Sequence, residues 1–485
     1  MLKRFAASFS LTNWVVIILL IGIPLYPKFR LFNVPGTYVA VRLEDFFIAA
    51  CFVLWLFLER RKIKQLITDR TVVAMISFLA VGLLSLSSAL LVTHTVQPHL
   101  GMLHWARRVE YMLPFLFVLT SVRSVVDVKA YIITLFATAI AVDIYGFGQK
   151  FAGWPVISTM NEEFSKGTIL SLTSNARVNS TFAGHYDLAF FLSIVILLGV
   201  ALWFVQMKKV ARILLVGTLI ITFILLLFTV SQVAYLAMFC GVIFVLVKLE
   251  KQRIIVALVG VAIVVALGFP PLRHRLLDTL FVNIAYFTAK LNTTMMSPLV
   301  EITDQVPGDS QRVGNKPLVT YDVVEQSASH SSTAASVSAI VTPLGSRTPD
   351  LGVIYSSGVR FDVEWPRATR AFIKNPLLGT GYSSIGLSTD NDYLRLLGEV
   401  GLLGSWAFGL VIVSLLLKAI AIWRLSPPPF VRQTVVACVG IGIVFAVGAL
   451  FIDVFEASKI ATIFWMLAGI VAGLYKLSAR SYDTV

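Results

Sequence analysis

Three carboxylates stand close together in the last third of the chain: Asp390 and Asp392, on either side of Asn391, and Glu399 a little further on. A carboxylate at the edge of an apolar helix can take a proton from an attacking hydroxyl, which is general-base chemistry. Helical spacing puts Asp392 and Glu399 on one face. Glu399 sits among Leu396, Leu397, Val400, Leu402 and Leu403, and an ionisable group inside an apolar span is a functional candidate by default. Each of these residues has a plainer reading as well. Asp390 can cap a helix, the Asp390-Asn391-Asp392 run can hold a divalent cation, and Glu399 can pair with Arg395 one turn earlier.

Cationic groups offer the complementary chemistry. Arg360 lies in a polar stretch ahead of the carboxylates, and a guanidinium grips phosphate or pyrophosphate in a two-pronged fork. Its alternative is a solvent-facing pair with Asp362 or Glu364. The run from Arg177 to Asp187 sets an arginine, His185 and Asp187 at the mouth of another apolar span. His185 is either a proton shuttle or a plain hydrogen-bonding group. Arg42, Glu44 and Asp45 open a further span and read as a structural ion pair. His94, His99 and His104, with Arg107 and Arg108, read as a wet loop rather than a metal set. Phosphate-loop, nucleophile-elbow and His-Glu-x-x-His patterns are absent from the sequence, so neither nucleotide-driven pumping nor those hydrolytic chemistries are indicated. No metal and no cofactor is expected.

The elements that must position these groups are membrane helices. Of 485 residues 57% are hydrophobic and 14% charged, and the mean hydropathy is +0.84, far too apolar for a soluble chain of this length. Backbone polar groups in hydrocarbon must be satisfied within the span, so the apolar windows read as helices. About twelve spans are expected on the length criterion, centred near Ile18, Phe52, Leu83, Leu116, Leu135, Ile196, Ile220, Met238, Ile263, Gly409, Phe445 and Trp465. The first reads as an anchor rather than a removed signal. Net charge is +14, but the basic residues cluster in alternate short loops, among them Arg60-Arg61-Lys62, Lys208-Lys209 and Lys418 with Arg424. That pattern places both termini in the cytoplasm and gives no reason to expect nucleic acid. Cys51, Cys240 and Cys438 fall in apolar spans and offer neither a disulfide framework nor metal spacing.

This orientation divides the chain into helices one to nine over 1–269, a large outer loop over 270–395, and helices ten to twelve over 396–485. The loop opens on Pro270 with a short amphipathic helix and continues in a Ser/Thr-rich tract from Gln326 that reads as a flexible tip. Pro366 then fits the first turn of a helix, with Ala368, Ala371 and Phe372 on one face. Asn375-Pro376 stops that helix, and Gly379 and Gly381 allow a tight turn beside the carboxylates.

Five pieces occur in order: Arg177 with Phe182-Ala-Gly-His-Tyr-Asp-Leu-Ala, Thr229-Val-Ser-Gln232, Gly358-Val-Arg360 with Trp365, Asn375-Pro-Leu-Leu-Gly-Thr-Gly381, and Asp390-Asn391-x-Tyr393-Leu with Glu399-x-Gly-x-x-Gly404. Together they resemble the O-antigen ligase and polymerase family of bacterial envelopes, over most of the chain and best from Gly358 to Gly404. The resemblance implies a GT-C-type glycosyltransferase in the bacterial inner membrane, multi-pass, with its site on the extracytoplasmic face. It implies an undecaprenyl-pyrophosphate-linked oligosaccharide as donor, membrane lipid as surroundings and a chain-length regulator protein as a further partner. The pieces at Gln232 and Asp390 stand where ligases carry arginine and histidine, which favours a polymerase over a ligase; a transporter or flippase is the alternative from another class. By motif position Asp390 is the base, Arg360 and Arg177 hold the pyrophosphate, Glu399 orients a neighbour, and His185, Asp187, Gln232, Trp365, Asn391 and Tyr393 line the substrate.

Overall fold

The computed structural model describes residues 9–35, 40–156, 177–296, 357–386 and 388–482. The Ser/Thr-rich tract lies outside them. All twelve hydropathy centres fall on helices. In chain order these are α1 (Leu11–Leu25), α2 (Leu43–Glu59), α3 (Arg70–Ser88), α4 (Pro98–Ser121), α5 (Val125–Phe151), α6 (His185–Leu202), α7 (Lys209–Phe228), α8 (Gln232–Lys248) and α9 (Gln252–Gly268). α10 (Pro270–Met296) and α11 (Trp365–Lys374) follow, and then α12 (Asp392–Arg424), α13 (Pro429–Gly448) and α14 (Ser458–Tyr482). Among the described residues seven helices are long and apolar enough to cross a membrane, or eight if α9 and the start of α10 count as one broken span. The remaining centres fall short for two reasons. α1, α2 and α8 have 15, 17 and 17 residues, and α4 carries Arg107, Arg108 and Glu110 around its middle.

Local sequence explains where the helices begin. Ser10 caps α1 and Asp69 caps α3, its carboxylate accepting from the Thr71 and Val72 N–H groups at 2.9 and 3.3 Å. Ser124 and Asp127 form a reciprocal box at the start of α5, satisfying donors that have no helical partner. Proline occupies the first turn of α4, α11 and α13, where its missing N–H costs nothing. One feature is new relative to the sequence reading: Arg30–Asn33 and Ala40–Arg42 pair as a short antiparallel ribbon, β1 and β2, between α1 and α2.

The chain forms two compact units, one of Met1–Leu267 with Glu364–Val485 and one of Gly268–Val363. The segment from Glu364 to Arg395, assigned from sequence to the outer loop, therefore belongs with the helical bundle, and Asp392–Arg395 is already helix α12. In the other unit the short amphipathic helix expected at Pro270 runs on to Met296.

Within the bundle α6 and α14 are the most buried helices, and α7 is largely open on its flanks. α14 packs on α4, α12 on α3, and α13 on α6 and α8. Helices consecutive in the chain run in alternate directions, which two sets of polar contacts make visible. At one pole Glu59, ending α2, meets Thr12 at 3.1 Å, Lys62 at 2.6 Å and Arg123 at 3.5 Å, while Lys418 near the end of α12 reaches Asp69 before α3 at 2.6 Å. The opposite pole gathers the last turns of α1, α3 and α13 with the first turns of α2, α4, α6, α12 and α14. The candidate functional residues of the bundle lie there.

Candidate functional site

The site is organised by a break in α12. Gly401 has φ 64° and ψ −165°, a conformation outside the helix and open to glycine. A broken helix leaves amide and carbonyl groups without helical partners, and in an apolar surrounding each must find another. Here the segment after α11 supplies them. Thr380 and Gly381 N–H donate to the Gly398 and Glu399 carbonyls at 2.9 and 2.8 Å, and Leu402 and Leu403 N–H donate to the Pro376 and Leu377 carbonyls at 2.9 and 3.1 Å. The two segments touch so closely that a Cβ on Gly379 would lie 2.4 Å from the Glu399 carbonyl carbon, and one on Gly401 2.5 Å from that of Leu377. Asn375 closes the arrangement, its side chain accepting from Leu378 N–H at 3.2 Å and donating to Ser88 at 3.3 Å. The Asn-Pro-Leu-Leu-Gly-Thr-Gly run is thus the backbone partner of the broken helix.

Above the break, the first turns of α12 bury Asp392, Arg395, Gly398 and Glu399 on one face. Gly398 packs against Ala368 of α11, the face expected from the sequence. Arg395 and Glu399 are each 2% exposed and meet at 3.5 Å, so the i,i+4 pair read as an alternative is present. It belongs to a larger cluster. Arg108 of α4 stands 3.6 Å from Glu399 and also pairs with Glu456. Arg395 contacts Asp453 at 3.2 Å. Asp392 accepts from the Phe455 N–H at 3.1 Å, and Glu399 from Ser383 N–H at 3.1 Å. Two guanidiniums therefore face four carboxyl groups. The Tyr382 ring lies under Arg108, 5.6 Å from its guanidinium carbon. Burial pushes the Tyr382 phenol well above its ordinary range against the pull of Arg108, so it is a neutral hydroxyl. A cavity of about 80 Å³ opens beside Arg108, Asp392 and Glu456, with Phe78, Phe408 and Trp465 among its walls.

The helix cap is Asn391, whose side-chain oxygen accepts from Leu394 N–H at 2.9 Å. That corrects the capping alternative for Asp390. Asp390 precedes the cap in a left-handed conformation, φ 49°, half-buried and accepting from Ser388 Oγ at 3.0 Å. Tyr393 lines the same cavity, is partly exposed, and its hydroxyl donates to the Ala446 carbonyl at 2.8 Å. Trp365 begins α11, half-buried. Arg360 belongs to the unit of Gly268–Val363.

A second cluster lies at the same pole. Lys459, 1% exposed, donates to the Pro24 and Thr181 carbonyls at 3.1 and 2.7 Å and sits over the Phe182 ring. Arg42 meets Glu44 at 3.0 Å and Ser458 at 3.2 Å. Lys28 is buried too, and Glu44 and Asp187 lie in the field of Lys28, Arg42 and Lys459. Asp45 belongs here too, accepting from the Arg42 N–H at 2.9 Å and lying in the field of Arg107. Arg177 stands on the segment that Lys459 anchors, donating to His185 Nε2 at 2.9 Å. Arginine only donates, so Nε2 accepts and this nitrogen is committed to Arg177 rather than open as a shuttle. The same segment is pinned by Gln149 through Ser180 at 2.8 and 3.0 Å and by Val178 N–H on the Phe228 carbonyl at 3.3 Å, which sets it next to the turn leading to Gln232, the first residue of α8.

His99, His104, Arg107 and Arg108, read from sequence as a wet loop, are on helix α4. Among the described residues no group of three or more His, Cys, Asp or Glu has metal-binding geometry. The sequence reading missed the connection between α13 and α14, which carries Asp453 and Glu456 and leads into Ser458 and Lys459 at the start of α14, so that the stretch touches both clusters. The signal was available as charged residues inside a short link between two apolar spans. No protein-family model matches the chain and no curated protein is significantly similar to it. Fold and site together define a helical membrane protein with two clusters of ionisable groups at one pole, one rich in carboxyl groups and one holding Lys28, Arg42 and Lys459 among carboxylates.

Proposed function

We propose that the protein is a GT-C-type glycosyltransferase, a surface-polysaccharide polymerase of the O-antigen kind, with twelve spans in a bacterial inner membrane and its site on the extracytoplasmic face. The observation that carries this reading is the pair of charge clusters at the site pole, one rich in carboxyl groups and one holding Lys28, Arg42 and Lys459 among carboxylates. A lipid-pyrophosphate donor presents an anionic leaving group beside an electrophilic sugar carbon, and the acceptor presents a hydroxyl that must lose a proton. Cations for the first and carboxyl groups for the second stand at the same pole, which suits those two demands. The positive-inside distribution agrees with the side: Lys62, Arg123 and Lys418 mark the opposite pole.

In this reading the acceptor hydroxyl oxygen bonds to the anomeric carbon of the donor. The bond from that carbon to the pyrophosphate oxygen breaks, and undecaprenyl pyrophosphate leaves with the electron pair. Asp390, half-buried at the mouth, takes the hydroxyl proton. Arg177 holds the pyrophosphate, with Lys28, Arg42 and Lys459 setting the positive field around it; Arg360 is a donor-binding candidate by motif position alone. Arg395, locked between Glu399 and Asp453, fixes the first turns of α12 beneath the acceptor. Asn391 sets where that helix starts, and Asp187, His185 and Gln232 shape the donor side.

Purified protein in proteoliposomes, given lipid-linked repeat units, is expected to produce a ladder of longer lipid-linked glycans, and a chain-length regulator added to the vesicles is expected to narrow it. Transfer only to a lipid A–core acceptor identifies a ligase instead. Movement of the lipid-linked glycan across the bilayer without a new glycosidic bond identifies a flippase. Arg360→Lys keeps the charge but loses the fork; ladders of normal length from it remove Arg360 from the donor site.

A further inference from the structure

We infer that Asp453, on the connection between α13 and α14, is a positioning residue that sets how Asp390 is presented at the mouth of the site. Its role rests on the polymerase reading; its geometry does not. Three consecutive backbone N–H groups converge on this one carboxylate: Thr389 at 2.8 Å and Asp390 at 3.2 Å on one oxygen, Asn391 at 3.2 Å on the other. A right-handed/left-handed succession of residues is one way successive N–H groups come to point into a common concavity. Asp390 supplies the left-handed residue with φ 49°. Aspartate tolerates this conformation better than most residues, yet it is a minority state that the surroundings must hold.

The same carboxylate has a second anchor. Arg395 reaches it at 3.2 Å from one turn inside α12. Asp453 therefore ties the turn before the helix to the first turn within it, and does so from a different part of the chain. Neighbouring bonds lock its own position: Asp392 N–H donates to the Ala449 carbonyl at 2.9 Å, Phe455 N–H donates to the Asp392 carboxylate at 3.1 Å, and the Asn391 amide donates to the Leu450 carbonyl at 3.1 Å. The Asp390 carboxylate accepts from Ser388 Oγ at 3.0 Å. Its backbone N–H is tied to Asp453, and the residue stands half-buried at the mouth. Asp453 contributes no atom to the reaction; it fixes the backbone from which the reacting group projects.

The test uses the full chain in nanodiscs with two readouts. Asp453→Asn removes the charge shared by the three N–H groups and Arg395. Hydrogen–deuterium exchange should rise across residues 388–394 with the rest of the bundle unchanged. With lipid-linked repeat units, kcat should fall by about tenfold or more, since displacing a reacting group by an ångström is enough for that, while KM stays within about twofold because donor contacts lie elsewhere. Asp453→Glu keeps the ion pair with Arg395 and serves if the asparagine variant does not fold; its longer arm should lower kcat in the same way. Unchanged exchange at 388–394, unchanged kcat, or a rise in KM alone overturns the proposal. A wild-type protein that makes no ladder refutes the polymerase reading, and the exchange measurement then still decides whether Asp453 holds the turn.

Discussion

Glu399 and Asp390 are separated by burial, and the difference predicts opposite phenotypes. Glu399 is 2% exposed and serves both Arg395 and Arg108. Glu399→Gln keeps the shape but leaves two buried guanidiniums short of a counter-charge. Losing one partner of a buried ion pair costs about 3–5 kcal/mol, so the variant should melt well below wild type in detergent and express poorly. A wild-type melting temperature would mean that Asp453 and Glu456 already satisfy both arginines. Asp390→Asn should do the reverse. Asn391 makes the cap, so stability should be unchanged, and asparagine accepts a left-handed backbone as readily as aspartate. Chain extension should be lost if the carboxylate is the base. Full-length ladders from this variant would move the search for a base to Asp392 or Glu456.

Helix α12 is where element and sequence part company. A glycine inside an apolar run reads as helix that continues, and Gly401 gives no local sign of a break. The break is made by tertiary pairing with residues 376–381, which no local pattern reports. The β1–β2 ribbon escaped notice for a similar reason: four and three residues are too few to show alternation. What was legible was the coarse plan, since each hydropathy centre landed on a helix, along with the start of α11 at Pro366 and its end at Asn375. The motif glycines were legible as a tight turn, though not as the backbone partner of another helix. Gly401→Ala places a side chain where φ is positive, at about 1–2 kcal/mol, and drives its Cβ into the Leu377 carbonyl. We expect misassembled protein by size-exclusion chromatography. Gly409→Ala in the same helix is the control, because a Cβ there meets nothing within 4 Å. Equal behaviour of the two variants would show that the break is dispensable.

At the scale of the molecule the two polar poles define an orientation that can be checked directly. With the native cysteines replaced, Ser388→Cys, exposed at the site pole, should react with an impermeant maleimide added outside intact cells. Lys64→Cys, exposed beyond α2, should react only after permeabilisation. The reverse pattern would put the site in the cytoplasm and end the proposal for a lipid-linked donor on the outer face. The charges of the α13–α14 connection were hidden at this scale too. A polar link between two spans looks like any solvated loop until packing folds it inward, as it does with Asp453, which takes the Thr389, Asp390 and Asn391 N–H groups.

The break at Gly401 also fixes where the chain cannot change length. Both sides of the splice are set by backbone bonds, so the register of residues 391–401 against 376–381 is determined by the fold. Deleting one residue between Asn391 and Gly401 would rotate the preceding turns by about 100°, swinging Asp392 and Arg395 away from the connection that meets them. The link between the two segments is held as well: Ser383 N–H donates to Glu399 at 3.1 Å, Ser384 Oγ meets Thr380 Oγ1 at 2.7 Å, and Ile385 is 2% exposed. Chains that share this architecture should keep the count from Asn391 to Gly401 constant.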